Sequence, residues 1–137
     1  MVTDKNSSAL VELNIGRRYE FGIGVPVSYS EAAKWYFKAA TQDNSDAQLS
    51  LGTLFFRGQG VAQSYPESEK WLTMSALNGN LDAQRFLGVM CAAGIGFEQS
   101  NELGARWLQM AVDNGCQHSR LALESLQAKM LLELPPQ

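Results

Sequence analysis

Few side chains in this sequence could carry metal or covalent chemistry. The chain has one histidine, His118, and two cysteines, Cys91 and Cys116. A lone histidine cannot form a histidine pair around a metal ion, and the cysteines are too far apart for a paired zinc knuckle. We therefore expect two reduced thiols, no metal site and no cofactor.

Nucleophilic catalysis is the remaining chemistry to consider. A small hydrolase could use Cys91, Cys116 or Ser28 as its nucleophile, but any histidine base would have to be His118. Carboxylates that could share acid and base roles do not cluster along the chain. The sequence thus predicts no catalytic residue, and the hydrolase stands as the alternative from the enzyme class.

Composition and charge narrow the classes of partner. The chain has 137 residues, of which 45% are hydrophobic, and its 11 basic and 14 acidic residues give a net charge of -3. Scattered charges of this balance disfavour nucleic acid as a partner. No apolar run is long enough to insert in a membrane, and the opening residues lack a signal-peptide core. We expect a cytoplasmic protein as written, or a periplasmic or secreted one if a signal peptide was removed.

An internal repeat is the main pattern. The chain superimposes on itself without a gap at an offset of 36 residues, which defines units 13–48, 49–84 and 85–120. Self-similarity at such a period is typical of helical repeat proteins. Five columns are identical in all three units: Gly16, Gly52 and Gly88; Gly22, Gly58 and Gly94; Gly24, Gly60 and Gly96; Ser28, Ser64 and Ser100; and Trp35, Trp71 and Trp107.

These columns predict two helices in each unit. Glycine inside a helix is costly, so its return at Gly16, Gly52 and Gly88 indicates a neighbouring helix that approaches too closely for a Cβ. The later G-x-G follows a helix and lacks the third glycine of a nucleotide-binding loop, so it predicts a helix-ending turn. The serine that follows stands where an N-cap belongs, and the tryptophan lies on the packing face of the second helix.

The sequence therefore predicts an all-α fold, a right-handed α-α superhelix or solenoid of three helix-pair repeats. We expect a disordered tail at residues 1–7, a single solenoid at 8–134 that ends in a capping helix at 118–133, and a short tail at 135–137. Glu124 replaces the packing glycine in the last helix, which favours a helix that covers the end of the stack.

The repeat unit resembles the Sel-one-like repeat (SLR) family, a branch of the tetratricopeptide-like solenoids. The resemblance covers residues 13–120. The period of 36 residues and the G-x-G-V turn favour this branch over the plain tetratricopeptide repeat. Unit two fits best, through Ala47, Leu51, Gly52, Phe55, Gly58, Gly60, Val61, Trp71 and Gly79. Departures occur where Val11, Phe97, Cys91 and Cys116 replace the expected residues.

The resemblance implies a non-enzymatic module that binds a protein or peptide. An adaptor or scaffold is the leading interpretation, and a bacterial immunity or inhibitor protein that neutralises a secreted effector enzyme is the alternative. Neither the partner nor the oligomeric state follows from the sequence.

By analogy with related solenoids, the first helices are expected to line a concave partner-binding face. Its residues would be Arg17, Arg18, Phe21, Thr53, Leu54, Arg57, Phe86, Val89 and Met90. The last three would form an apolar patch of the kind that marks a partner site. The alternative is that the capping helix, through Leu123, Leu126 and Met130, buries this patch as additional core.

Overall fold

The computed structural model describes residues 5–136, and this part of the chain contains seven α-helices and no strand. The predicted all-α helical repeat fold is therefore confirmed. The helices are α1 (Lys5–Phe21), α2 (Tyr29–Thr41), α3 (Ser45–Arg57), α4 (Tyr65–Leu77), α5 (Leu81–Ala93), α6 (Asn101–Asp113) and α7 (Gln117–Leu132). The first six form three consecutive pairs.

The ends of the chain compare with the sequence-based boundaries as follows. Residues 1–4 of the expected tail and residue 137 lie outside the described residues, whereas residues 5–7 belong to α1. Helix α7 occupies the region expected to cap the repeats. Pro135 and Pro136 follow it outside any helix.

The repeated serines set where the second helices begin. The hydroxyls of Ser28 and Ser64 accept the backbone N–H of the residue three positions later at 3.2 Å, and that of Ser100 does so at 3.1 Å. These hydrogen bonds satisfy N–H groups that have no partner within the helix. The three serines are therefore the N-caps of α2, α4 and α6.

The repeated G-x-G glycines form the turns that follow the first helices. At the end of α3, Gly58 has a φ of 69°, and its N–H donates to Leu54 O. The left-handed conformation favours glycine here because it has no Cβ. The turn after α5 has the same backbone conformation, with a φ of 69° at Gly94 and of 78° at Gly96. Left-handed values also occur at the remaining glycines of these turns, Gly22, Gly24 and Gly60.

The chain forms two compact units, Met1–Asn80 and Leu81–Gln137. In the first unit, α1 packs on α2, α2 on α3, and α3 on α4. The core of this unit contains Leu13, Tyr36, Leu51, Leu54 and Trp71, all at most 4% exposed.

Close helix crossing explains the repeated glycine of the first helix. A Cβ on Gly52 would lie 2.8 Å from Cγ of Leu72, which is on α4. Gly16 faces the ring of Tyr36 on α2 in the same way. The two helices of a repeat therefore meet where no side chain stands between the backbone of one and the core residue of the other.

A buried amide links the two repeats of the first unit. Gln48 is fully buried, and its Nε2 donates to Ala40 O at 3.1 Å, while its Oε1 accepts from Asn78 Nδ2 at 3.0 Å. In the preceding repeat, Gln42 Nε2 donates to Glu12 Oε2 at 2.5 Å. Positions 12 and 48 are equivalent in the two repeats, and each carries a polar side chain that accepts a hydrogen bond from the residue after the second helix. Because the residue types differ, a search for identical positions does not reveal this pair.

The second unit consists of α5, α6 and α7. Helix α6 packs on both of the others, and α5 contacts α7 less extensively. Leu123 and Leu126 of α7 form a core cluster with Leu108 of α6. Helix α7 is therefore held mainly by α6.

Candidate functional site

The residues considered for catalysis are buried, cap a helix or lie at the surface of α7. Cys91 and Cys116 are both buried. The hydroxyl of Ser119 donates to Sγ of Cys116 at 3.1 Å, and the hydroxyl of Ser28 caps α2. His118 is exposed on α7. Across residues 5–136, no group of three or more His, Cys, Asp or Glu side chains has the arrangement to hold a metal ion.

The hydroxyl of Tyr36 has a shifted pKa. Burial raises this pKa above the ordinary value, and a hydrogen bond to Glu20 and the negative charge of Glu20 add to the rise. The hydroxyl donates to Glu20 Oε1 at 2.6 Å. Because the ring packs at the crossing of α1 and α2, this neutral phenol has a structural role.

The predicted binding residues of the first unit are mostly accessible. Arg18, Phe21 and Arg57 are all exposed, and Phe21 is 64% exposed. Arg17 and Thr53 also keep part of their surface in contact with water. Within the described residues, no carboxylate forms a salt bridge with any of these three arginines. Their guanidinium groups are therefore open to an acidic group from outside.

Leu54 is a correction to the predicted face. This side chain is 1% exposed and belongs to the core cluster of the first unit, so it is not available to a partner. The physical reason is that α3 packs against both α2 and α4, whereas α1 packs against α2. The free face of α3 is consequently narrower than that of α1.

The predicted apolar patch lies on α5 in the second unit. Val89 is 38% exposed, while Phe86 and Met90 keep part of their surface in contact with water. Leu123, Leu126 and Met130 of α7, which could have covered them, form a cluster with Leu108 of α6 that also contacts Ala92 of α5. Val89 lines a cavity of about 290 Å³ together with residues of α6 and α7, including Leu108, Ala122 and Leu126. The patch is thus open in part and continuous with a shallow groove of the same unit.

The structure also contains a groove that the sequence analysis missed. It has a volume of about 520 Å³ and lies between α2, α3 and the loop after α3. We call it the aromatic groove, and define it by Lys34, Trp35, Phe37, Lys38, Phe55 and Val61. A comparison of equivalent positions in the three repeats could have indicated this groove. Phe37 and Lys38 of the first repeat correspond to Thr73 and Met74 in the second and to Gln109 and Met110 in the third.

No helix of the described chain is long and apolar enough to span a bilayer. The finding agrees with the hydropathy of the sequence, in which charged and polar residues interrupt every apolar run.

Solved structures of similar proteins share this fold. A Sel1 repeat protein from Oxalobacter formigenes matches with a TM-score of 0.79 and 28% identity, over 87% of this chain and 48% of that one. A protective antigen present in uropathogenic Escherichia coli strains, which displays an SLR fold, matches with a TM-score of 0.77 and 32% identity, over 81% of this chain and 24% of that one. The present chain thus spans about half and a quarter of their lengths.

No match was found among curated proteins. The model of the Sel1 repeat matches three consecutive stretches, residues 9–44, 45–80 and 81–116. These stretches have the period found in the sequence and begin four residues earlier than the units 13–48, 49–84 and 85–120 (13 minus 9). They cover most of the chain, which therefore belongs to the Sel1 repeat family.

Proposed function

We propose that this chain is a non-enzymatic protein-binding module that receives a protein or peptide partner on its first helices, α1, α3 and α5. Sel1 repeat proteins are generally protein-interaction modules, and their fold is typically a non-enzymatic scaffold. The proposed contact residues are Arg17, Arg18, Phe21, Thr53, Arg57, Phe86, Val89 and Met90.

The observation that carries the proposal is the accessible apolar surface on α5. Val89 is 38% exposed, and Phe86 and Met90 beside it keep part of their surface in contact with water. Apolar side chains clustered at a surface are typical of partner sites, whereas single ones carry little meaning. Within the first unit, the arginines of α1 and α3 provide positive charge suited to an acidic group of a partner.

Affinity capture from the native cell tests this function. The wild-type chain is compared with the double variant Phe86→Ala, Met90→Ala and with a control, Met74→Ala, Leu77→Ala, which removes exposed apolar side chains from the second helix α4. We expect the α5 variant to lose at least about 80% of the captured partner, because truncation at the centre of an interface costs about tenfold or more in affinity.

The control variant is expected to retain the same partner. Circular dichroism of both variants verifies that the helices remain folded, since Phe86 and Met90 are not fully exposed. Equal capture by the two double variants, with both folded, would argue against binding through the first helices.

A further inference from the structure

The aromatic groove lies on a surface different from the one proposed above. It is formed by the second helix α2 together with Leu51 and Phe55 of α3 and Val61 of the following loop. Its volume of about 520 Å³ is in the range of sites that hold several side chains of a ligand. Phe37 at its wall is 52% exposed, so the groove has apolar surface in contact with water.

Trp35 has a different environment from its equivalent in the next repeat. The ring of Trp71 is 4% exposed and meets Phe37 edge to face, with ring centres 5.9 Å apart. Trp35 is half-buried and lines the groove. The same column thus provides core packing in the second repeat and an accessible aromatic wall in the first.

Two cations, Lys34 and Lys38, line the groove. Lys38 Nζ lies 4.3 Å from the centre of the Trp35 ring, and no carboxylate of the described residues forms a salt bridge with it. Lys34 forms an exposed pair with Glu31 at 3.2 Å, an arrangement that water weakens. The lining residues carry a local charge of +1 (two Lys against one Glu) on a chain whose net charge is -3.

We propose that the aromatic groove binds a short segment of a partner protein in which one or two carboxylates flank large apolar side chains. The rings of Trp35, Phe37 and Phe55 receive the apolar side chains, and the ammonium groups of Lys34 and Lys38 receive the carboxylates. Charge complementarity selects this segment over a neutral or basic one. The proposal is independent of binding at α5, because the two surfaces share no residue.

Nuclear magnetic resonance of the full chain tests the proposal. The three tryptophans provide three indole N–H signals, and the variant Trp35→Phe assigns one of them. The probes are pools of acetylated, amidated tetrapeptides that have Leu, Ile, Phe or Trp at both central positions. One pool has Asp at both ends, the second has Asn and the third has Lys.

We expect the Asp pool to shift the Trp35 signal saturably and to leave the Trp107 signal in place. The Asn pool is expected to bind at least about fivefold more weakly, and the Lys pool not to bind, because a hydrogen bond to a charged group is stronger than one to a neutral amide. The double variant Lys34→Gln, Lys38→Gln should abolish the preference for Asp over Asn.

Lys70→Gln is the matched control. Lys70 stands one repeat after Lys34, pairs with Glu67 at 3.8 Å and has its Nζ 5.0 Å from the Trp71 ring. This variant should bind the Asp pool as the wild type does. The proposal is overturned by equal affinity for the Asp and Asn pools, by no shift of Trp35 up to about 5 mM peptide, or by a Trp35 shift that depends on protein concentration alone, which would identify a second copy as the occupant.

Discussion

At the scale of single residues, the packing glycine of the first helix sets how closely two helices approach. Alanine is a better helix former than glycine by about 1 kcal/mol, which would stabilise α3. Against this, a Cβ at position 52 would lie 2.8 Å from Leu72 Cγ and 3.3 Å from its backbone N. Overpacking of a core costs about 1–3 kcal/mol, so the steric effect is the larger one.

We therefore predict that Gly52→Ala lowers the free energy of unfolding by about 1 kcal/mol, the difference between an overpacking cost of about 2 kcal/mol and a gain of about 1 kcal/mol in helix propensity. Urea denaturation followed by circular dichroism measures this change. Thr53→Ala, on the next residue of the same helix, is the control and should change the value by less than about 0.5 kcal/mol. A Gly52→Ala variant as stable as the wild type would show that α3 and α4 can separate without cost.

The buried phenol of Tyr36 predicts a pH dependence. Its pKa in the folded chain is raised above the ordinary value of about 10, so the folded state holds the proton more tightly than the unfolded chain. The stabilisation is complete below about pH 10 and is lost as the pH rises above it, because the unfolded chain ionises first.

Tyr36→Phe should accordingly reduce the loss of stability above about pH 10 relative to the wild type. The variant also loses the hydrogen bond to Glu20, which lowers its stability at neutral pH by about 1 kcal/mol. Thermal unfolding measured from neutral pH to about pH 11 reports both effects. If the stability of both proteins fell equally with rising pH, the ionisation of Tyr36 would not be the cause of the loss.

At the scale of helices, equivalent positions differ in how they cap. Asn44 caps α3, and its Oδ1 accepts the Ala47 N–H at 2.9 Å. Cys116 holds the same place before α7, where its Sγ accepts the hydroxyl of Ser119 but caps no backbone N–H of the helix. The two positions therefore offer substitutions with opposite expected signs.

We predict that Cys116→Asn raises the free energy of unfolding by about 0.5–1 kcal/mol, and that Asn44→Cys lowers it by about 1 kcal/mol. Chemical denaturation of the two variants under reducing conditions provides the measurement. If both substitutions changed the free energy of unfolding in the same direction, the capping hydrogen bond would not be what distinguishes the starts of α3 and α7.

Much of the helical architecture could be predicted from the sequence, because local chemistry determines it. The spacing of glycines, serines and tryptophans predicts where helices end, begin and pack, and seven helices are found in the described chain. The burial of Leu54 could not be predicted in this way, since it depends on α3 being enclosed by two other helices. The burial of Gln48 could not be predicted for a related reason: hydrogen bonds with Ala40 of the preceding repeat and with Asn78 at the end of α4 compensate for its desolvation.

At the scale of the whole molecule, repetition explains why function is harder to predict than fold. Most of the repeated columns are used for packing, so we expect a surface that binds a partner mainly where the repeats differ. The aromatic groove is such a place, because Phe37 and Lys38 are not repeated in the later units. Its shape depends on the gap between α2 and α3, which spacing along the chain does not describe.

The central claim is that a partner binds at the first helices, and site-specific photocrosslinking tests it most directly. A benzophenone amino acid is placed at Val89 on α5 or, as a control, at Leu77 on α4, which is 68% exposed. Irradiation in the native cell should attach the partner through position 89 and not through position 77. Crosslinks to that partner from position 77 alone, or equally from both positions, would contradict the account.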